Sequence, residues 1–192
     1  YNQRKHTLPR VISSISKDTE LPIHWEKIPG IDYAIDVFIG YLLFDSWIAN
    51  TDRHHENWGV VRDHATNKYH LAPTFDHASS LGSHENDKNR SERLVTKDLN
   101  RNIFSYVKKA RSALYSKQTD ENPMYTMDAF KEAAKNREHT AKIWIERLSD
   151  ITREDIIDIL DKMPDKVMSD TTKEFTREIL ITNRRRLLDI QF

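Results

Sequence analysis

Three side chains within one short reach of the chain, Asp52, Asn57 and Asp76, have the types and spacing for transferring a phosphoryl group to a hydroxyl. Such a transfer needs a carboxylate that accepts or orients the proton of the attacking hydroxyl, a role open to Asp52. It also needs oxygen ligands for Mg²⁺, a hard cation that is held by one or two side chains together with the phosphates. The amide oxygen of Asn57 and the carboxylate of Asp76 are ligands of that kind. His54 lies between Asp52 and Asn57 in the run Asn50-Thr51-Asp52-Arg53-His54-His55-Glu56-Asn57.

The elements around these residues decide how much the spacing means. Asp-x-x-x-x-Asn alone is a common pattern, and both residue types also serve as helix caps and turn residues. Here it follows the apolar run Ile35, Val37, Phe38, Ile39, Leu42, Leu43, Phe44, Trp47 and Ile48, which wraps most of the way round and predicts a buried helix over 33–49 with Asp32 as its N-cap. After it, Trp58–Val61 and Tyr69–Ala72 flank the turn-forming stretch 63–68 and predict a small hairpin, broken by Pro73. The order helix, Asp, Asn, hairpin, Asp is the order of the base, the metal Asn and the second metal Asp in protein kinases.

The run Phe44–Asn57 resembles the catalytic-loop region of HipA-like kinases, and Tyr69–Ser80 resembles that family's metal-binding segment. The Asp-Arg-His-x-x-Asn form is also similar to phosphoinositide-kinase-like enzymes. The resemblance covers about residues 33–82. It implies that Asp52 is the catalytic base or hydroxyl-orienting acid, that His54 sits in the catalytic loop, near the phosphates or holding Asp52, and that Asn57 and Asp76 hold Mg²⁺ with ATP as phosphate donor. It further implies a protein Ser/Thr hydroxyl as acceptor and, for many members, a toxin partnered by a DNA-binding antitoxin. Family members also carry an N-terminal lobe with a phosphate-binding loop and an ATP-gripping Lys. Neither is legible here: Gly30, Gly40, Gly59 and Gly82 are too far apart for such a loop, and Lys5, Lys17 and Lys27 lack a strand context. The chain opens on Tyr1, and the expectation is a lobe whose N-terminal partner lies in the same or another chain, with weak nucleotide binding on its own.

The expected fold is mainly α: a helical C-lobe of a protein-kinase-like fold over 32–192, with a small β-hairpin after the catalytic loop, preceded by an irregular segment over 1–31 at the lobe junction. The stretch 79–98 is polar and reads as a loop. Helices are expected near 98–114, 127–148, 152–163 and 171–190, with Thr126, Thr152 and Ser169 or Asp170 as starts.

Composition narrows the partners. The 192 residues suffice for one domain, and 30 Lys and Arg balance 30 Asp and Glu, so no global field favours nucleic acid or an anionic membrane. No apolar run approaches the roughly 20 residues of a membrane span. The absence of cysteine excludes disulfides and Cys-ligated zinc and fits a cytoplasmic protein.

Two other functions compete. A metal-dependent hydrolase would use Asp52, His54, His55 and Asp76, although no His pair has the spacing of a zinc helix. A non-catalytic helical module would leave the polar residues as caps and turns. Among the remaining residues, Arg53 reads as a contact to phosphates or an acceptor peptide, or as a surface ion pair to Glu56. Lys88, Arg90 and Arg93 lie where kinases receive the substrate but read rather as a solvated loop. Arg184–Arg186 complement a helix dipole, Trp47 and Trp144 belong to the core, Trp58 packs under the catalytic loop, and the histidines other than His54 lie on the surface.

Overall fold

The computed structural model describes residues 3–16 and 18–192. At its centre is α2 (Ala34–Ile48), apolar on nearly every face and buried along most of its length. Packed round it are α1 (Leu8–Ser16), α5 (Thr126–Ala134), α6 (Glu138–Ser149) and α8 (Asp170–Leu188). α7 (Arg153–Asp161) packs on α8, as do α3 (Asp87–Val95) and α4 (Ile103–Lys108). No helix among the described residues is long and apolar enough to cross a membrane.

The hairpin forms as expected, with β2 (Val60–Asp63) antiparallel to β3 (Lys68–Leu71). A further short strand, β1 (Thr19–Glu20), joins β3 in parallel to give the sheet order β1-β3-β2. Lys68 Nζ to Glu20 Oε1 at 2.9 Å and His70 Nδ1 to the Leu21 carbonyl at 2.8 Å tie this edge, so His70 is not simply a surface residue.

The segment before α2 is not irregular. Leu8, Val11 and Ile15 of α1 are buried in the main core, and the backbone of residues 6–8 pairs with that of Tyr115. Pro9 reads as a breaker in sequence, but it sits in the first turn of α1, where a missing N–H costs nothing. Lys17 lies outside the described residues.

The polar stretch 79–98 also contains a helix, α3. None of its residues is fully buried. Leu94 packs on the cluster of Phe175 and Ile179, and the rest is held by polar contacts: Asn86 caps it, Asp87 accepts from Ser169 and Thr172 at 2.7 and 2.9 Å, and Arg90 donates to Thr172 and to the Gly82 carbonyl at 2.6 and 3.1 Å. A helix without an apolar stripe leaves no periodic signal to read.

Elsewhere the differences are in boundaries. Thr152 and Ser169 cap α7 and α8 as expected, whereas Thr126 is the first residue of α5 behind Tyr125. The expected helix over 127–148 is two, α5 and α6, divided at 135–137, where Arg137 leaves the axis and donates to Asp36 Oδ1 at 2.6 Å. Only Ile103–Lys108 of the stretch 98–114 is helical, since the backbone beyond it pairs with 123–126. The N-cap of α2 is Tyr33, not Asp32, and Asp36 in the first turn reaches back, its Oδ2 accepting from the Asp32 and Tyr33 amides at 3.1 and 2.9 Å.

Candidate functional site

The catalytic-loop candidates leave α2 through a left-handed residue, Ala49, at φ 53°. Asn50 then turns inward, fully buried. Its Nδ2 donates to Asp45 Oδ1 at 2.8 Å, and its Oδ1 accepts from the Asp52 amide at 3.1 Å. A carboxylate on α2 thereby sets the backbone of Asp52.

Arg53 is the hub. Neither a surface ion pair to Glu56 nor an exposed phosphate contact holds, because its side chain is 0% exposed and paired with Asp45. Its Nε and Nη2 donate to Asp45 Oδ2 and Oδ1 at 2.7 Å each, a bidentate fork. Its Nη1 donates to the carbonyls of Asn57 and, at 3.4 Å, of Phe75. Its Nη2 also reaches Thr74 Oγ1 at 2.9 Å and His77 Nε2 at 3.2 Å. Thr74 Oγ1 and His77 Nε2 are themselves 2.8 Å apart, which closes the cluster. Burial, with Arg53 beside it, holds the His77 pKa below its ordinary value. His77 is therefore part of this network and not a surface histidine.

The Asp76 segment is pinned on both sides. Before it, Phe75 offers its carbonyl to Arg53. After it, the Ser79 carbonyl accepts from the Thr51 amide at 3.0 Å, and the Leu81 amide donates to the Ile48 carbonyl at 2.8 Å. Tyr41 of α2 holds the approach, its hydroxyl donating to the Ala72 carbonyl at 3.1 Å; burial pushes that phenol up to about 12, so it remains a donor. Asp76 itself is exposed, in the left-handed region at φ 52°, a conformation that Asp tolerates better than most residues.

The structure thus brings Asp52, Asn57 and the Asp76 segment together round one guanidinium. Asn57 Nδ2 donates to the Asp52 carbonyl at 2.6 Å, which leaves Oδ1 as the oxygen the side chain can offer a cation. An amide oxygen and an exposed carboxylate are a donor set suited to Mg²⁺. The Asp52 side chain is 41% exposed and open to an incoming group. His54 Nε2 lies 3.6 Å from Asp52 Oδ1, while its Nδ1 accepts from the Glu56 amide at 3.1 Å, placing the ring proton on the nitrogen that faces Asp52.

His6 was not singled out from the sequence. It lines a cavity of about 120 Å³ together with Asp52, His54 and His55. Its Nδ1 is paired with the Ala113 carbonyl at 3.2 Å, and its Nε2 accepts from Trp58 Nε1 at 3.1 Å. Burial lowers its pKa to about 4, and His55 and His54 add to the effect. Trp58 packs on Phe38 of α2 and anchors His6 rather than the loop as such. The donor atoms of His54, His55 and Glu56 lie within 4.8 Å of one another; Asp76, which the hydrolase reading requires, does not line this cavity.

The missed residues had a signal. Asp36 and Asp45 stand in an otherwise apolar helix, and a buried carboxylate requires partners. Those partners are Arg137 and Thr140 for Asp36, and Arg53 and Asn50 for Asp45.

No family model matches the chain, and no curated protein matches it. Among solved structures it is similar to the Helicobacter pylori proinflammatory kinase CtkA, with a TM-score of 0.71 at 21% sequence identity, over 96% of this chain and 61% of that one. The fold is kinase-like. The chain spans 61% of the length of that kinase. On this fold, the junction of α2, the hairpin and the segment after it is where the candidate residues collect.

Proposed function

We propose that the chain is the helical lobe of a HipA-like kinase that transfers the ATP γ-phosphate to a Ser or Thr hydroxyl of a protein. In this reading Asp52 orients the hydroxyl and takes its proton, with His54 holding the carboxylate from the side. Asn57 Oδ1 and the Asp76 carboxylate would hold Mg²⁺, which supplies charge neutralisation on the triphosphate when bound. Arg53 touches neither reactant; it positions Asn57 and the Asp76 segment.

The observation that carries the reading is the pair of carbonyls, Asn57 and Phe75, gathered by Arg53 Nη1. It links the two halves of the motif through a buried ion pair to α2 in a way that caps and turns alone do not require. The kinase-like fold supports phosphotransfer; the HipA-like assignment, the Ser/Thr acceptor and a role as toxin beside a DNA-binding antitoxin rest on the resemblance of 44–57 and 69–80.

The test is a calorimetric titration with Mg²⁺-ATP of the chain and of its Asn57→Ala and Asp76→Ala variants. Heat that requires Mg²⁺ and disappears in both variants is the expected result. Mg²⁺-ATP binding that both variants retain would remove Asn57 and Asp76 from the site.

A further inference from the structure

A second cavity, of about 360 Å³, opens on the other side of the catalytic-loop candidates. Its floor includes Ala49 and Thr51, and Thr51 is the chain neighbour of Asp52, so their Cα atoms are about 3.8 Å apart. The far wall comes from α3, α4 and the turn between them: Arg93, Asn100, Arg101, Ser105, Tyr106 and Lys109. Neither Asn57 nor Asp76 lines it, and no carboxylate does.

Two of the three cations are ion-paired. Arg93 is fixed by Glu85 Oε1 at 2.9 Å and the Arg101 carbonyl at 3.2 Å, with its guanidinium 4.8 Å over the Tyr106 ring. Arg101 is paired with Glu92 at 3.0 Å, but both side chains are well exposed, and such a pair contributes little and exchanges readily. Lys109 is exposed, and its Nζ has only a long contact, 3.4 Å, with the Asn100 carbonyl. Glu85 and Glu92 offset part of this charge, whereas Lys109 has no carboxylate partner among the described residues. The floor residue Thr51 leads directly into Asp52, whose own side chain borders the smaller cavity.

We infer that this cavity binds an acidic segment of the protein whose hydroxyl is presented to Asp52, Asp or Glu side chains flanking that hydroxyl meeting Arg93, Arg101 and Lys109. The inference rests on the kinase reading for the role of the segment as acceptor. The phosphate donor is not the anion in question, since its metal-holding candidates face elsewhere. An extended peptide advances about 3.3 Å per residue, so positions one to three residues from the acceptor reach across the cavity.

The test uses fluorescence anisotropy with two labelled peptides, each with one central Ser, flanked on both sides by Glu in one and by Gln in the other. They are titrated against the chain and against Arg101→Glu/Lys109→Glu, whose side chains are both exposed, with far-UV circular dichroism as the check on folding. The expected result is a tenfold or greater preference for the Glu peptide that weakens with salt and is lost in the variant. Equal affinity for the two peptides, no binding of the Glu peptide, or a preference that survives the charge reversal overturns it. Mg²⁺-ATP calorimetry on the same samples separates the two ideas. Nucleotide binding without the acidic preference overturns the cavity inference and leaves the kinase reading standing; the preference without nucleotide binding supports the acidic-segment site and overturns its role as acceptor.

Discussion

The Arg53 guanidinium meets the Asp45 carboxylate edge to edge, Nε to Oδ2 and Nη2 to Oδ1 at 2.7 Å each, with both side chains out of solvent. The fork satisfies one face of the guanidinium and leaves Nη1 for the carbonyls of Asn57 and Phe75. Removing Arg53 would strand a buried carboxylate and release both segments at once. Arg53→Ala is expected to cost about 3–5 kcal/mol. Arg53→Lys keeps the charge but loses the fork, and is expected to recover less than half of that. Urea denaturation of both variants measures it. A loss under about 1 kcal/mol for Arg53→Ala would mean the pair is not structural.

A second prediction concerns the seam between α2 and α6. Gly40 leaves room for the Trp144 indole; a Cβ built there would lie 2.5 Å from Cε2 of that ring. The indole cannot swing aside cheaply, because its Nε1 donates to the Asp36 carbonyl at 2.8 Å. Gly40→Ala is expected to destabilise by about 1–3 kcal/mol, against its gain in helix propensity. Gly59 has nothing within 4 Å of a built Cβ and is the control, with Gly59→Ala expected to stay within about 0.5 kcal/mol. Thermal melts of the two side by side decide it.

The third prediction follows from His6, whose pKa burial lowers to about 4 from 6.5. The unfolded chain binds this proton first, so stability is fully present above pH 6.5 and falls as pH drops from there toward 4. Protonation would also set a charged Nε2–H against the Trp58 N–H that donates to it. The full shift corresponds to roughly 3 kcal/mol. The ring borders an open cavity, and screening there reduces the expectation to roughly 1–2 kcal/mol. His77, also lowered by burial, adds to the loss in the same direction. Urea midpoints between pH 7.5 and 4.5 should fall steeply in the wild type and less in His6→Gln. An unchanged slope in that variant would place the acid sensitivity elsewhere.

These residues also show what the sequence could and could not tell. The apolar run of 33–49 had nothing else it could be, and the hairpin followed from two short β-branched or aromatic runs about a turn. The trio Asp52, Asn57 and Asp76 was legible by type and spacing. The linchpin was not: Arg53 looks like any loop arginine until Asp45, eight positions earlier on a buried helix, is seen to need a cation. α1 was hidden by a proline in its first turn, and α3 by a mostly polar surface whose tethers include Ser169 and Thr172, more than eighty positions away. His6 reaches the site only because the backbone of 6–8 pairs with Tyr115, and no local pattern encodes that pairing.

The last prediction separates orientation from metal holding. Asn57 is tied to Asp52 through the main chain, Nδ2 to carbonyl oxygen, so the Asp52 side chain can be changed without moving Asn57. Asp52→Asn keeps the shape and removes the proton acceptor. Mg²⁺-ATP affinity in that variant is expected to stay within about twofold of wild type, while label transferred from γ-labelled ATP in extended single-turnover incubations falls by about 10²–10⁴. Asn57→Ala, by contrast, is expected to lose affinity and transfer together. If Asp52→Asn transfers as well as wild type, Asp52 is not the base, and the proton must leave by another group, of which His54, 3.6 Å from Asp52, is the nearest on the same loop.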